Sequence, residues 1–409
     1  MTVSAVRTPA LIRVPAFWVM LAVLAVGGLR MAQLAGQFFT SYPKATATSV
    51  VLFALLAVPF WLVVAELDFF EPEPAKLLVL AFAWGGLVAT TVSIPGGVAL
   101  ENLVAKLGSP QLAAGWGAAL AAPTVEEIAK TLGVVAIVLV ARSQVNSVLD
   151  GVVYGAMVGL GFQIAEDIVF AVGAVALAGQ GDQVQPVIAT FLLRGFLSGI
   201  WSHTLFGALA GAGIGYLVVS RERGRPHRVG VAVLAVLGAW GSHVLWNAPL
   251  VVDGLGNGAL ALLLVLLVKG LPPLVLILLL VRRVHDSEAN YYVGRLARLD
   301  DPELITEGEL ATLRSGARRA SARRLAAAGA GRAAKTAVRR LQRAQARLAA
   351  SPSPQAEAAV REQRAELRRL GHPEAVAGPG PRRHRAWTIA ATVVGIAVLW
   401  VALSALGGA

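Results

Sequence analysis

The 409-residue chain contains no cysteine, which excludes disulfides, a thiol nucleophile and cysteine-ligated metal, though it names no compartment. It also lacks an HExxH motif, the two-histidine helical signature of many zinc proteases. Charge is scarce: 15% of residues are charged and 56% hydrophobic, with a mean hydropathy of +0.67. Basic residues are concentrated in one block, residues 282–385, which holds 22 of the 36 Lys and Arg against 11 of the 24 Asp and Glu. That block carries a net +11 of the chain's +12, so the apolar remainder offers no electrostatic case for nucleic acid, and none is expected as a partner.

What is present is a series of apolar runs of about 20 residues, each long enough to cross a hydrocarbon core of about 30 Å. The expected fold class is all-α: a polytopic transmembrane bundle of eight to nine spans with a helical cytoplasmic insert. Nine spans are expected, at 17–39, 49–66, 77–99, 113–141, 148–178, 187–219, 229–251, 259–281 and 386–407. The first follows Arg7 and Arg13, is longer than a signal-peptide core and lacks a small-residue cleavage site, so it reads as a retained span. "SIPGGVALENLVAKLGSPQ" interrupts the pattern with Pro, Gly and charge, and a re-entrant or interfacial stretch is expected there.

Basic short loops set the orientation. Arg7, Arg13, Arg142, "RERGRPHR" at 221–228 and the 282–385 block all fall on one side, expected to be cytoplasmic. The loops at 40–48, 179–186 and 252–258 are nearly free of positive charge. "DFFEPEPAK" at 68–76 dissents, being acidic where basic residues are expected. Expected domains are 1–285 as the membrane core, 286–385 as a basic, Ala/Arg-rich helical insert and linker, and 386–409 as a last transmembrane helix. The insert reads first as a solvated helical linker and second as an arm for anionic lipid or a cytoplasmic partner. Glycines four apart, at 151, 155 and 159 and again at 207, 211 and 215, read as close helix packing in lipid.

The informative residues are charges inside spans, since a charge at mid-bilayer costs about 2.5–3.5 kcal/mol on insertion scales. "EEIAK" sets Glu126 and Glu127 one turn from Lys130, which can partly neutralise them. "GFQIAED" sets Phe162 one turn before Glu166. His203 follows in the next span, and "SHVLWN" carries His243 with Asn247 one turn later. Three carboxylates and two imidazoles suit hydrolysis: a carboxylate can take a proton from water, and an imidazole or asparagine can stabilise an oxyanion or protonate the leaving amine. Two histidines and a glutamate are also a zinc-type ligand set, and spacing does not choose between the two. A lone intramembrane Glu or His can equally be an interhelical hydrogen bond; the adjacent glutamates are harder to explain by packing. Lys130 reads as a charge balancer and Asn247 as an orienting or oxyanion-binding group. Arg30 and Arg194 lie in spans and are assigned to no site.

Together EExxK (126 to 130), FxxxE (162 to 166), His203 and HxxxN (243 to 247), with "LDGVVYGAMVGLGFQIAED", resemble the PrsW family of intramembrane proteases over roughly residues 10 to 285, and through it the CAAX-type membrane endopeptidases. The resemblance implies an endopeptidase acting on membrane-anchored protein substrates, site-one cleavage of an anti-sigma factor being the family's activity. It implies Glu126 or Glu127 as activator of water, with Glu166, His203 and His243 completing the site and Lys130, Phe162 and Asn247 supporting it. The cofactor stays open between none and a divalent metal such as zinc; Glu127, His203 and His243 are the ligands expected if one binds. The implied location is the plasma membrane, with the lipid bilayer and the substrate as partners. Two other readings use the same cluster, a non-catalytic scaffold and an ion- or proton-coupled transporter, but no inverted repeat favours transport.

Rival protease chemistries fit poorly. "GQGD" at 179–182 spells an aspartyl-protease motif, but its partner, Asp150, begins the same helix about 45 Å away. "GFLSG" at 195–199 misses the rhomboid serine motif by one residue.

Overall fold

The computed structural model describes residues 11–198, 202–250 and 264–379. Arg7, the loop at 252–258, the start of the span at 259–281, the last span at 386–407 and the domain 386–409 lie outside the described residues. Every described regular element is a helix, as expected of chain in lipid, where backbone groups must bond within their own segment. The described helices fall into two compact units. One comprises Met1–Val64 and Glu73–Val281, the other Ala65–Pro72 and Arg282–Ala409.

The first unit holds α1 (Pro15–Ser41), α2 (Pro43–Leu67, to Val64), α3 (Ala75–Leu107), α4 (Pro110–Val140), α5 (Val148–Ala178), α6 (Gln185–Thr190, running on into the π turn Phe191–Ser198), α7 (Ser202–Val219), α8 (Arg225–Asn247) and the start of α9 (Leu271–Ala297, to Val281). Six of these, α1, α2, α3, α5, α7 and α8, are long and apolar enough to cross a membrane. α4 is 31 residues long but carries Glu126, Glu127 and Lys130. The stretch expected to be re-entrant or interfacial stays helical to Leu107, with Pro95 inside the helix and a π turn at Trp84–Ala89, and breaks at Gly108 and Ser109 before α4.

α5 is the axis of this unit, and every residue from Leu149 to Ile164 is buried. The spaced glycines explain how. A Cβ at Gly155 would lie 2.0 Å from the Gly207 carbonyl oxygen, one at Gly211 2.0 Å from that of Gly151, and one at Gly159 2.0 Å from that of His203. α5 and α7 therefore meet backbone to backbone, as small residues permit in lipid. Opposite, Gly161 meets the Phe82 carbonyl and Gly85 that of Val158 just as closely, so α5 is clamped between α3 and α7. The two acids of the rejected aspartyl pair serve helix ends. Asp182 accepts from the N–H groups of Lys44 and Ala45 at the start of α2, and Asp150 completes a capping box with Ser147, each satisfying otherwise orphan donors.

The second unit contains the end of α9, then α10 (Glu307–Leu313), α11 (Gly316–Ala350) and α12 (Pro354–Arg369). It is not a solvated linker. Phe69, Phe70, Val293, Leu296, Leu313, Val338, Leu341, Val360 and Leu367 are all buried in one apolar core. Alternating arginine and alanine on α11 hid this, because the alanines are the buried face. Residues 68–72 of the acidic segment that contradicted the charge rule belong here, preceded by Glu66. Glu66 lies within 4.0 Å of Arg319, Arg323 and Arg343, and Glu71 accepts from the Tyr292 hydroxyl at 2.5 Å. Arg319, 1% exposed, stacks 3.8 Å over Phe69 and donates to the Leu313 carbonyl at 2.7 Å. Burial pulls its guanidinium down to about 10, Glu66 opposing that shift; it stays protonated at neutral pH.

Candidate active site

Four helices bring the polar residues together. α4 supplies Glu126, Glu127 and Lys130, α5 supplies Phe162 and Glu166, α7 supplies His203 in its first turn, and α8 supplies His243 and Asn247. Two indoles fix α4 in this group: Trp84 Nε1 donates to the Ala129 carbonyl at 3.0 Å and Trp240 Nε1 to Thr124 Oγ1 at 3.0 Å. Glycine at 159 lets the backbone of His203 reach α5, so its ring sits 5.0 Å from Phe162 and 5.0 Å from His243.

Lys130, 1% exposed, is the hub of one half. Its Nζ donates to Glu127 Oε1 at 2.6 Å and to His203 Nδ1 at 3.0 Å, and lies 4.4 Å above the Phe162 ring. Phe162 thus gives a desolvated ammonium a π face. With Nδ1 accepting from Lys130, the His203 proton rests on Nε2, which donates to Glu166 Oε2 at 3.0 Å. His243 has the opposite tautomer. Its Nδ1–H donates to Glu127 Oε1 at 2.8 Å, and its ring stacks on Phe206 at 5.3 Å. Its Nε2 is left facing Glu126, with the Asn247 amide 3.5 Å away; that amide also reaches the Ala118 carbonyl at 3.4 Å.

Glu126 differs from the other acids. Its Oε2 lies 3.7 Å from Lys130 Nζ, 3.8 Å from His243 Nε2 and 3.9 Å from His203 Nδ1, and it is buried without a hydrogen bond. Three nitrogens therefore surround one carboxylate oxygen, each just beyond bonding distance. Glu126, Glu166 and Glu101, but not Glu127, line a cleft of about 260 Å³ whose other walls are small or apolar, among them Ile94, Gly97, Ala122, Phe162 and Phe170.

This gap bears on the metal. One ligand atom each from Glu126, His203 and His243 lies within 4.8 Å of the other two, and the Glu126 oxygen is the orphan among them. That donor set would suit a divalent cation once His203 Nδ1 exchanges the Lys130 ammonium for it. Glu127, expected as the carboxylate ligand, lies outside that group of three; its Oε1 receives Lys130 and His243, so it orients His243.

Two residues join the site that the sequence reading left out. Arg194, in the π turn after α6, donates to Glu166 at 2.5 Å and to Asp167 at 2.6 Å, and stacks 4.0 Å over Phe170. The signal was there: "AED" on α5 places a second acid beside Glu166, and an arginine inside a span calls for an anionic partner.

Residues 73–277, half of the chain, match the model of the PrsW family intramembrane metalloproteases. Among curated proteins and among solved structures nothing matches.

Proposed function

The chain belongs to the PrsW family of intramembrane metalloproteases; from that premise we propose that it cuts membrane-anchored protein substrates with a water activated by Glu126. It is a membrane-embedded peptidase. We infer its substrate class to be single-span regulators of the anti-sigma type, its location to be the plasma membrane, and its basic unit to be cytoplasmic.

One observation carries the mechanism: Glu126 Oε2 makes no hydrogen bond and Glu126 lines the cleft. As the carbonyl of an extended substrate segment enters, Glu126 takes a proton from water, whose oxygen bonds to the carbonyl carbon. The Asn247 amide and the Lys130 ammonium are the donors at hand for the oxyanion, and Lys130 is held in place by Glu127 and His203. Glu126 then returns its proton to the leaving nitrogen as the C–N bond breaks, giving an amine and a carboxylate. Glu127 fixes the tautomer of His243, and Glu166, braced by Arg194, fixes that of His203. A divalent cation held by Glu126, His203 and His243 would supply Lewis-acid polarisation of the carbonyl and an acidic bound water, with Glu126 then serving as its ligand in place of acting as the free base.

The test is terminal proteomics of cells expressing wild type or Glu126→Gln at equal abundance. New membrane-protein N-termini present only with wild type support the proposal and identify the substrate. The same termini from both chains overturn the role of Glu126. No new terminus from wild type under several stresses favours a scaffold or a transporter.

A further inference from the structure

We propose that the outer face of α11 is an electrostatic docking surface for anionic phospholipid headgroups. Between Glu309 and Glu357 the chain holds no acidic residue, while α11 alone carries nine arginines and a lysine. α11 is a hairpin. Ala330 and Gly331 leave helical geometry, Gly331 with φ +80°, and Gln342 on the second arm bonds both the Arg323 side chain and the Arg319 carbonyl on the first. The inward arginines, 319, 323 and 343, meet Glu66. The outward ones, Arg324, Arg332, Arg339, Arg340 and Arg347, with Lys335, are exposed and have no acidic partner among the described residues.

Spacing on the second arm makes the outward cations a stripe: positions 332, 335, 339, 340 and 347 recur at three, four and seven, one helix face about 22 Å long. On the first arm, beside Arg324, Leu325 is 52% exposed, so an apolar side chain adjoins an outward cation, as in a surface-lying membrane contact. The helix that follows contrasts with this face. On α12 each of Arg361, Arg364, Arg368 and Arg369 has a carboxylate partner. A chain embedded in a membrane has one polyanion always at hand, the charged leaflet, and the stripe complements it. The inference does not depend on the proteolytic reading.

The test is hydrogen exchange of the full chain in nanodiscs of phosphatidylcholine alone or mixed with phosphatidylglycerol. Peptides from the outer face of α11 should be protected only in the anionic discs. The protection should fade as salt rises from about 0.1 M to about 1 M, which shortens the screening length from about 10 Å to about 3 Å. The triple variant Lys335→Gln/Arg339→Gln/Arg340→Gln should lose it: at about fivefold per cation near a charged surface, the bound population falls roughly a hundredfold. Arg361→Gln/Arg368→Gln/Arg369→Gln removes as much charge from the paired helix and should leave protection intact. Protection around Val360 and Leu367 in the buried core confirms folding in every sample. Equal protection in neutral and anionic discs overturns the proposal, as does full protection in the α11 triple variant. So does stronger protection by a short RNA in neutral discs than by phosphatidylglycerol, which would make the surface a nucleic-acid site.

Discussion

Gly159 tests whether helix approach, and not the ionisable residues alone, makes the site. A Cβ there would fall 2.0 Å from the His203 carbonyl oxygen and 2.7 Å from its carbonyl carbon, where contacts of 3.0–3.4 Å are the tightest normally tolerated. Both neighbours are backbone, so the start of α7 must retreat by about 1 Å or more. His203 bonds Glu166 and Lys130 at 3.0 Å each, and a 1 Å retreat carries both past hydrogen-bonding distance. Misplacement on that scale costs on the order of a hundredfold in rate. Overpacking should also destabilise the unit by about 1–3 kcal/mol. The assay is cleavage of a reconstituted substrate by Gly159→Ala, normalised to folded protein, beside Gly173→Ala on the same helix, where an added Cβ meets nothing within 4 Å. Gly173→Ala should cleave at the wild-type rate and be slightly more stable, since alanine is the better helix former. A Gly159→Ala enzyme with wild-type turnover would refute the claim that this contact sets the position of His203.

Other predictions address separate links. Purified protein equilibrated with zinc and desalted should retain ion by elemental analysis, and Glu126→Gln or His243→Ala should lower the content while Glu127→Gln lowers it less; equal loss from both glutamate variants would restore Glu127 as a ligand. Arg194→Gln leaves Glu166 and Asp167 without their guanidinium; with Arg194 28% exposed, the loss should be about 1–3 kcal/mol, less than for a fully buried pair, read as a lower melting temperature in detergent. Adding Asp167→Asn should recover part of it, and no recovery would show that Asp167 does not depend on Arg194. Glu66→Gln leaves the buried Arg319 facing Arg323 and Arg343. With Glu66 41% exposed, the cost should be about 1–2 kcal/mol, seen as faster limited proteolysis within α11; an unchanged cleavage rate would remove Glu66 from the unit's framework.

The sequence determined the class of this protein and singled out most of the candidate site residues, because both rest on costs that act residue by residue. An apolar run of 20 residues has few places to go but lipid, and a charge inside one must be partnered or used; hence Glu126, Glu127, Lys130, Glu166, His203, His243 and Asn247 stand out without a structure. The glycine spacing likewise announced close packing, since only a missing side chain lets two backbones touch. Tertiary structure decided what depends on distance between helices. Two adjacent glutamates look alike in sequence, and only the approach of α7 and α8 gives Glu127 to Lys130 and His243 and leaves Glu126 open to the cleft. Arg194 could not be assigned from its own neighbourhood, because its carboxylates sit on another helix, 27 and 28 residues back in the chain. The basic block looked like a solvated linker because alanine is a weak hydrophobic signal. Its core forms only when Phe69 and Phe70, from a loop more than 200 residues earlier, pack against Tyr292 and Val293. Side-chain type is local and legible; which partner each charge meets is set by the packing of distant segments, and the division of labour between Glu126 and Glu127 exists only there.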